Sequence, residues 1–479
     1  MAPLFLLVFL IASASPISDA KEHHLNILDV ASSLQLTRSV LSFDPSILSE
    51  QNLREAPSNS TTLSLELVPR DALRNAGHAT YRSLLLSRLA RDRARVLSIH
   101  LRLQLAASGL SKSDLKPQTE SATLSPEELS SPVVSGSSQG SGEYFGRVGV
   151  GTPSREFFMV LDTGSDVSWL QCDPCFDCYH QSDPVFNPSS SSSYRPVPCK
   201  SSQCDALELS SCRSGQCVYQ VSYGDGSFSY GDFSAETLTF NSASVTDVAM
   251  GCGHDNEGLY EASAGVLGLG GDALSLPSQL RASSFSYCLV NKDAQSSSTL
   301  DFNAVSPVDS VVAPMLRNNM NPTFFYVGIA GLSVGGRLVS IPSSLFEVDA
   351  ASGGGVIVDC GTAVSRLRTA AYDALRDAFV SLTRNLRTLP GVALFDTCYD
   401  FSGLSNVQVP TVSFHFVGGQ SWSLPAANYL VPVDSDGTYC FAFAPTAGPV
   451  SIIGNVQQQG TRVTFDLVNH KLGFAPAKC

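Results

Sequence analysis

Two short stretches of this 479-residue chain each end an apolar run in an aspartate, a small side chain, a glycine and a hydroxyl residue. The first is Phe157-Phe-Met-Val-Leu-Asp162-Thr163-Gly164-Ser165. The second, 359 − 162 = 197 residues further on, is Gly355-Val-Ile-Val-Asp359-Cys360-Gly361-Thr362. Each apolar run reads as a buried strand. A lone carboxylate at the end of such a strand is costly to bury. Two such loops relieve that cost if their carboxylates meet and share a proton, because like charges in contact drive one pKa up and the other down. An acid then stands beside a base, which is enough to drive water onto a peptide bond. Asp162 and Asp359 are therefore the candidate catalytic pair.

The surroundings of the two loops repeat as well. Ala264-Gly-Val-Leu-Gly-Leu-Gly270 follows the first, and Val450-Ser-Ile-Ile-Gly-Asn455 follows the second. Counted from each aspartate to the glycine, the offsets are 268 − 162 = 106 and 454 − 359 = 95. Two lobes of similar plan are expected, joined near 306–323, a stretch rich in Pro and Asn. From Glu143 onward, short strands are broken by Gly, Pro, Asn and Ser, the pattern of an all-β protein. One helix stands out: Thr369 is placed to cap it. Tyr372, Leu375, Phe379, Leu382 and Leu386 then recur at helical spacing before Pro390. Tyr223-Gly224-Asp225-Gly-Ser227 reads as a hairpin tip, with glycines at the turn and an aromatic before it.

Apolar residues make up 43% of the chain and charged residues 15%, which argues for a globular protein and against disorder. The formal net charge of -13 argues against nucleic acid or an anionic membrane as partner. That charge is unevenly placed. Residues 1–135 carry 13 Lys+Arg against 13 Asp+Glu, whereas residues 136–479 carry 17 against 30. An acidic later part fits work in acid, where many of its carboxylates are neutral. The start, 1–20, has an apolar run from Leu4 to Ala12 and reads as a secretory signal cut after Ser18-x-Ala20. No later run is long enough to span a membrane, so no membrane anchor is expected.

Residues 21–135 contain no Cys and include a basic stretch, Arg70 to Arg102, with eight Arg against Asp71 and Asp92. Tyr81, Leu85, Leu89, Val96 and Ile99 fall near one helical face there. This is read as a pro-segment whose positive charges lie over an acidic cleft, against the plainer reading of a solvated amphipathic helix. Ser130 to Gly142 reads as an exposed, cleavable linker. Asn59-Ser-Thr61 is the one N-glycosylation sequon with a permitted middle residue, and it lies in the pro-segment. The expected division is 1–20 signal peptide, 21–135 pro-segment and linker, 136–320 N-terminal lobe with a Cys-rich insertion, and 321–479 C-terminal lobe.

All thirteen cysteines lie at or after Cys172. In a secreted chain they read as a disulfide framework with one thiol left over. Zinc at Cys172, Cys175 and Cys178 is the alternative, but His180 alone lies at ligand spacing. No metal or cofactor is expected.

In these motifs, residues 142–479 resemble the pepsin-like aspartic proteases, in the plant nepenthesin-type branch that includes guard-cell aspartic protease-like members. The resemblance implies a bilobal all-β fold, two related barrel-like lobes with the cleft between them. That family is the worked case of a carboxyl pair sharing one proton, and the pKa splitting is carried over from it. It implies that Thr163 and the residue at Cys360 tie the two loops together. Gly164 and Gly361 would let the backbones approach closely, and Ser165 and Thr362 would hydrogen-bond the outer carboxylate oxygens. The hairpin becomes a flap: Tyr223 packs near the pair with its hydroxyl on Trp169, and Gly224 and Asp225 sit over substrate, Asp225 bonding its backbone. The implied disulfides are Cys172–Cys175, Cys178–Cys252, Cys199–Cys217, Cys204–Cys212, Cys288–Cys479 and Cys398–Cys440. Cys360 departs from the family, which has Ser or Thr there, and a thiol is a weaker donor.

The function implied is an aspartic endopeptidase made as a zymogen. Its partners would be polypeptide substrates and its own pro-segment as intramolecular inhibitor, and its state a monomer. It would be secreted to the extracellular space through the endoplasmic reticulum, with the vacuole as the other destination. The competing readings are a non-catalytic inhibitor or binding protein on the same scaffold, as in plant xylanase-inhibitor relatives, and a DNA-binding chloroplast protease. The intact aspartates, glycines and Tyr223 favour the enzyme over the first. The acidic later part disfavours the second.

Overall fold

The computed structural model describes residues 24–42, 62–73, 77–107, 143–223, 227–241, 243–258, 262–349, 353–477 and 479. The expected signal sequence 1–20, the sequon Asn59, the expected linker 130–142, Gly224 and Asp225 lie outside them.

Alternation of apolar and polar residues gives short strands, and most of them join one continuous β system with smaller sheets on the C-terminal lobe. Two threadings in it matter for the site. Arg155–Asp162 runs parallel to Gly265–Gly268, with Asp162 opposite Gly268, and that strand also pairs antiparallel with Trp169–Gln171. Gly355–Val358 runs parallel to Val450–Ile453, which pairs antiparallel with Ser365–Arg368 at Ile452 and Arg366. The repeated apolar-glycine segments are thus the parallel neighbours of the two Asp strands. Their glycines are required by space: a Cβ on Gly268 would sit 2.3 Å from the Asp166 carbonyl oxygen, and one on Gly454 would sit 2.6 Å from that of Ala363. Each Asp loop folds back onto the bare backbone of its neighbour strand.

The lobes share a sheet. Ser284–Cys288 pairs with Ser298–Phe302 and with Thr461–Asp466, which pairs with Lys471–Pro476, which pairs in turn with Val311–Leu316. The chain therefore crosses between lobes at 303–310, at the start of the expected join. Phe285 and Phe465 stack here with ring centroids 4.4 Å apart, and Phe325 packs edge-on to Phe465 at 4.8 Å. The same sheet takes an inner strand from the N-terminal region: Leu63–Pro69 lies between Ser298–Phe302 and Tyr144–Val150. Leu65 and Leu67 are fully buried by it. Further upstream, Leu25–Asp29 pairs with the strand Asn406–Pro410 on the C-terminal lobe.

Tyr81–Ala107 forms one long helix. Tyr81, Leu85, Leu89, Val96 and Ile99 are all buried, so its apolar face is covered rather than solvated. The first part packs on Val364, Phe395 and Val456, and the later part on Phe324, Tyr326, Ile357 and Ile452. The C-terminal lobe's helix spans Thr369–Leu382, shorter than its pattern suggested. Thr369 does not cap it; Arg368 holds the cap position without a side-chain bond, and Thr369 Oγ1 donates to the Thr446 carbonyl at 3.1 Å. At the other end, Thr383 turns its hydroxyl to Phe379 O and Tyr399, which stops the helix before Leu386.

Six disulfides form, and four differ from the pairing the resemblance implied. They are Cys172–Cys252, Cys175–Cys178, Cys199–Cys212 and Cys204–Cys217. Strand register decides the first: Cys252 lies opposite Leu170 on a parallel neighbour of Trp169–Gln171, beside Cys172. Cys212 and Cys217 face each other across a hairpin, so each bonds outward to Cys199 and Cys204 instead of sharing the pairing assumed for them. Cys288–Cys479 and Cys398–Cys440 agree with it. With Cys172, Cys175 and Cys178 oxidised, no thiolate remains there for zinc.

Phe465→Ala empties the aromatic stack between the lobes. It is expected to cost about 3–5 kcal/mol, read as a lower urea midpoint of the full chain with unchanged far-ultraviolet circular dichroism.

Candidate active site

The two parallel threadings bring Asp162 and Asp359 to the floor of a cleft between the lobes, 4% and 1% exposed. The Thr163 hydroxyl reaches across at 3.1 Å from Asp359 Oδ1 and also accepts from the Cys360 N–H at 3.1 Å. Thr362 Oγ1 donates to Asp359 Oδ2 at 2.6 Å, and the N–H groups of Gly164 and Gly361 point at Asp162 Oδ1 and Asp359 Oδ1 at 2.9 and 3.3 Å. Behind them Asn455 Nδ2 donates to the Cys360 carbonyl at 3.0 Å, so the second loop hangs on the residue that follows Gly454.

What lies on the two carboxylates is Arg95, from the long helix. Its Nη1 donates to Asp162 Oδ2 at 3.0 Å, its Nη2 to Asp162 Oδ1, its Nε to Asp359 Oδ2 at 3.1 Å and its Nη2 to Asp359 Oδ1 at 3.1 Å. One planar guanidinium thus holds both aspartates, a geometry a lysine could not reproduce. Burial pushes the Asp359 carboxyl up, but Arg95, Thr362 and the Gly361 N–H outweigh it and hold the group below the usual carboxylate range. Burial likewise pulls the Arg95 guanidinium down, and the two aspartates more than reverse this.

Three loop positions bear on the sequence reading. Ser165 was expected on an outer oxygen of Asp162, yet its buried Oγ finds no hydrogen-bond partner among the described residues. Gly164 and Gly361 were expected to be glycines because a Cβ would crowd the pair. A Cβ on either would meet Arg95, at 2.2 and 3.2 Å, and one on Gly164 would also stand 3.4 Å from Asp162 Oδ1, so these glycines keep clear the space above the pair.

More of the helix is held the same way. Arg91 forks onto Glu143 at 2.8 and 3.1 Å, and Arg88 bonds Asp71 and Asp293 at 2.7 and 2.6 Å. Arg102 reaches the Gly164 carbonyl at 3.0 Å and Glu208 at 2.8 Å. The arginines lie at intervals of three, four and seven, one stripe of the helix. Reading that spacing, instead of counting charges, would have marked these four arginines as one face of the helix.

Trp169 Nε1 donates to the Tyr223 hydroxyl at 2.9 Å, which sets Tyr223 at the base of the hairpin beside the site. Between this tyrosine, Val167, Leu207, Phe324 and the helix residues Ile99 and Arg102 remains a cavity of about 370 Å³. The helix therefore does not fill the whole cleft. Cys360 is the one free cysteine among the described residues. Its Sγ stands 3.8 Å from the Leu161 carbonyl, a long contact, while Thr163 makes the reciprocal tie at 3.1 Å. The tie between loops is stronger on the Thr163 side.

Two family models match, described as xylanase inhibitor N-terminal, over 144–302, and xylanase inhibitor C-terminal, over 324–476. Among curated proteins, Aspartyl protease family protein 2 of Arabidopsis thaliana is 50% identical over 429 residues, 88% of this chain and 86% of that protein. The chain belongs to the plant aspartic proteases. Protein ASPARTIC PROTEASE IN GUARD CELL 2 of the same plant is 46% identical, over 89% of this chain and 90% of its own. Aspartic proteinase nepenthesin-2 of Nepenthes gracilis is 40% identical, over 71% of this chain and 78% of its own. The chain is thus pepsin-like and of the nepenthesin-type branch. The solved basic 7S globulin from soybean shares the fold at 20% identity, with a TM-score of 0.57 over 70% of this chain and 93% of that one.

Burial pushes the Cys360 thiol up to about 12, with Asp359 adding to it, so the group stays protonated and unreactive. Alkylation followed by intact mass should leave the native chain unmodified and add one label per chain in urea without reductant. Labelling of the native chain at the rate of an exposed thiol would contradict this.

Proposed function

We propose that this plant aspartic protease is an endopeptidase made as an inactive precursor, in which Arg95 blocks the pair and acid releases it. The observation that carries the reading is the single guanidinium bonded to Asp162 and Asp359 together. A side chain so placed occupies the position where water and the scissile carbonyl must sit. Once it leaves, one carboxyl takes a proton from a water held between the two. The other donates its proton to the carbonyl oxygen, giving a neutral gem-diol. The amine then departs with a proton from the pair, so no covalent intermediate forms. Substrates are polypeptides, closed over by the Tyr223 hairpin. Passage through the endoplasmic reticulum, to the extracellular space or the vacuole, fits both the leader and the disulfides.

The pH direction follows from the carboxyl groups that dock the helix. Asp71 and Asp293, like Asp359, are pushed up by burial but are held low overall, Asp71 by Arg88 and Arg91, Asp293 by Lys292 and Arg88. A group lowered in the docked state favours docking above its ordinary range and loses that contribution as pH falls through the lowered value. Asp92 acts in the opposite sense, since burial raises its pKa against Arg366 and two N–H groups. Asp166, facing Arg102, is likewise raised by burial, whereas burial lowers His100, which takes up a proton once the helix leaves; the balance of the groups held low favours release in acid.

Hydrolysis of a denatured protein at about pH 3–5, with and without pepstatin, tests the reading. Asp162→Asn and Asp359→Asn should each cut activity by about 10²- to 10⁴-fold with unchanged unfolding midpoints. Arg95→Gln should give the uncleaved precursor at least about tenfold more activity near neutral pH than the wild type, as expected for losing charge-assisted bonds. A soluble, folded chain with no pepstatin-sensitive cleavage after acid treatment would sink the protease reading in favour of an inhibitor-like protein, as the names of the family models would then suggest.

A further inference from the structure

One turn before Arg95, the helix places a second buried acid against the C-terminal lobe. Asp92 is 2% exposed, with its carboxylate among three donors that all belong to that lobe. The Ala363 N–H lies 2.6 Å and the Val364 N–H 3.2 Å from Oδ1, and Arg366 Nη2 bonds Oδ2. The lobe builds this cradle from its own backbone. Asn455 N–H bonds Thr362 O at 2.7 Å, Val456 N–H bonds Ala363 O at 3.0 Å, and Gln457 Oε1 accepts from the Ser365 N–H at 3.1 Å. Arg366 is 5% exposed, its Nη1 tied to the Val364 carbonyl at 3.1 Å. Among the described residues, Asp92 is the carboxylate in ion-pair contact with it.

When the helix leaves, Arg95 and Asp92 leave together. The first uncovers the catalytic pair. The second uncovers a nearly buried guanidinium and two inward N–H groups two and three residues past the Asp359 loop glycine, Gly361. A buried cation stripped of its counter-charge is costly, and the group that replaces Asp92 is whatever the cleft next binds.

We propose that Ala363, Val364 and Arg366 form a subsite that takes an acidic side chain, glutamate or aspartate, of the polypeptide substrate. The inference rests on the endopeptidase reading and deepens it by naming a substrate class. Asp92 shows the pose: one carboxylate oxygen on the two N–H groups and the other on the guanidinium. The charged groups around it are Arg366, His100, whose ring approaches Thr446 Oγ1 at 3.0 Å, and Glu143, which lies near enough to oppose ionisation of Asp92. His100 leaves with the helix. Burial beneath the helix is what raises Asp92, and the three donors oppose it; in an open cleft the donors remain while burial lessens. The subsite therefore favours the ionised acid, and the preference should grow as pH rises through the ordinary carboxylate range.

The test uses the full precursor after acid activation, with peptides differing at one position only, bearing Glu or Gln at each site on either side of the cut. At about pH 5, one position should prefer Glu over Gln by about tenfold or more in kcat/KM. That ratio should fall toward one at about pH 3, where the side chain is protonated. In Arg366→Gln the ratio at about pH 5 should collapse, and Arg366→Lys should restore part of it. If Arg366→Gln fails to fold or mature, Arg366→Lys and the wild-type pH dependence still decide. Cleavage with no position preferring Glu, or a preference unchanged by Arg366→Gln, overturns the subsite while leaving the endopeptidase standing. Absence of cleavage from every peptide removes both.

Discussion

Two carboxylates in one dry cleft floor need compensation, and much of this molecule's architecture serves that need. Neither Asp162 nor Asp359 can be ionised there without a donor on nearly every oxygen. The donors come from the loops' own N–H groups, from Thr163 and Thr362, and from one guanidinium that belongs to the N-terminal region. Because that guanidinium serves both carboxylates at once, the contact that compensates their charge is also the one proposed to block the site. A chain holding its helix in this way gains stability from the feature that covers its carboxyl pair.

The scaffold gives those donors fixed positions. Each Asp strand is wedged parallel to a strand whose glycine admits the loop's backbone, and both lobes do this in the same manner. Between them the shared sheet, with Phe285, Phe325 and Phe465 packed at its centre, sets how far apart the two loops stand. The N-terminal strand Leu63–Pro69, which leads into the basic region, also lies inside this sheet.

The sequence made legible what depends on local pattern. The two Asp loops, the glycine-marked strands behind them, the all-β class and the buried face of the basic helix are all written in spacing and polarity. What escaped depends on register across distant strands. The disulfide partners of Cys172, Cys178, Cys199 and Cys204 follow from which strand lies beside which, and spacing does not encode that. The need for glycine at 164 and 361 was legible in the motif, whereas the unbonded hydroxyl of Ser165 and the guanidinium above the pair were not. The basic stretch was recognised as a unit, but its individual arginines and the pairing of Asp92 with Arg366 needed the helix to be laid against the lobe.

One covalent link has a consequence for the survival of the molecule. Five disulfides close loops within a lobe. The sixth, Cys288–Cys479, joins a strand before the crossing at 303–310 to the final residue of the chain. A cut anywhere in that crossing would give two polypeptides, yet the shared sheet and this bond would still hold both halves with an aspartate in each. An enzyme surrounded by other proteases could thus be nicked at this connection, where Val305 and Val308 are exposed, and still keep its two-lobed site assembled.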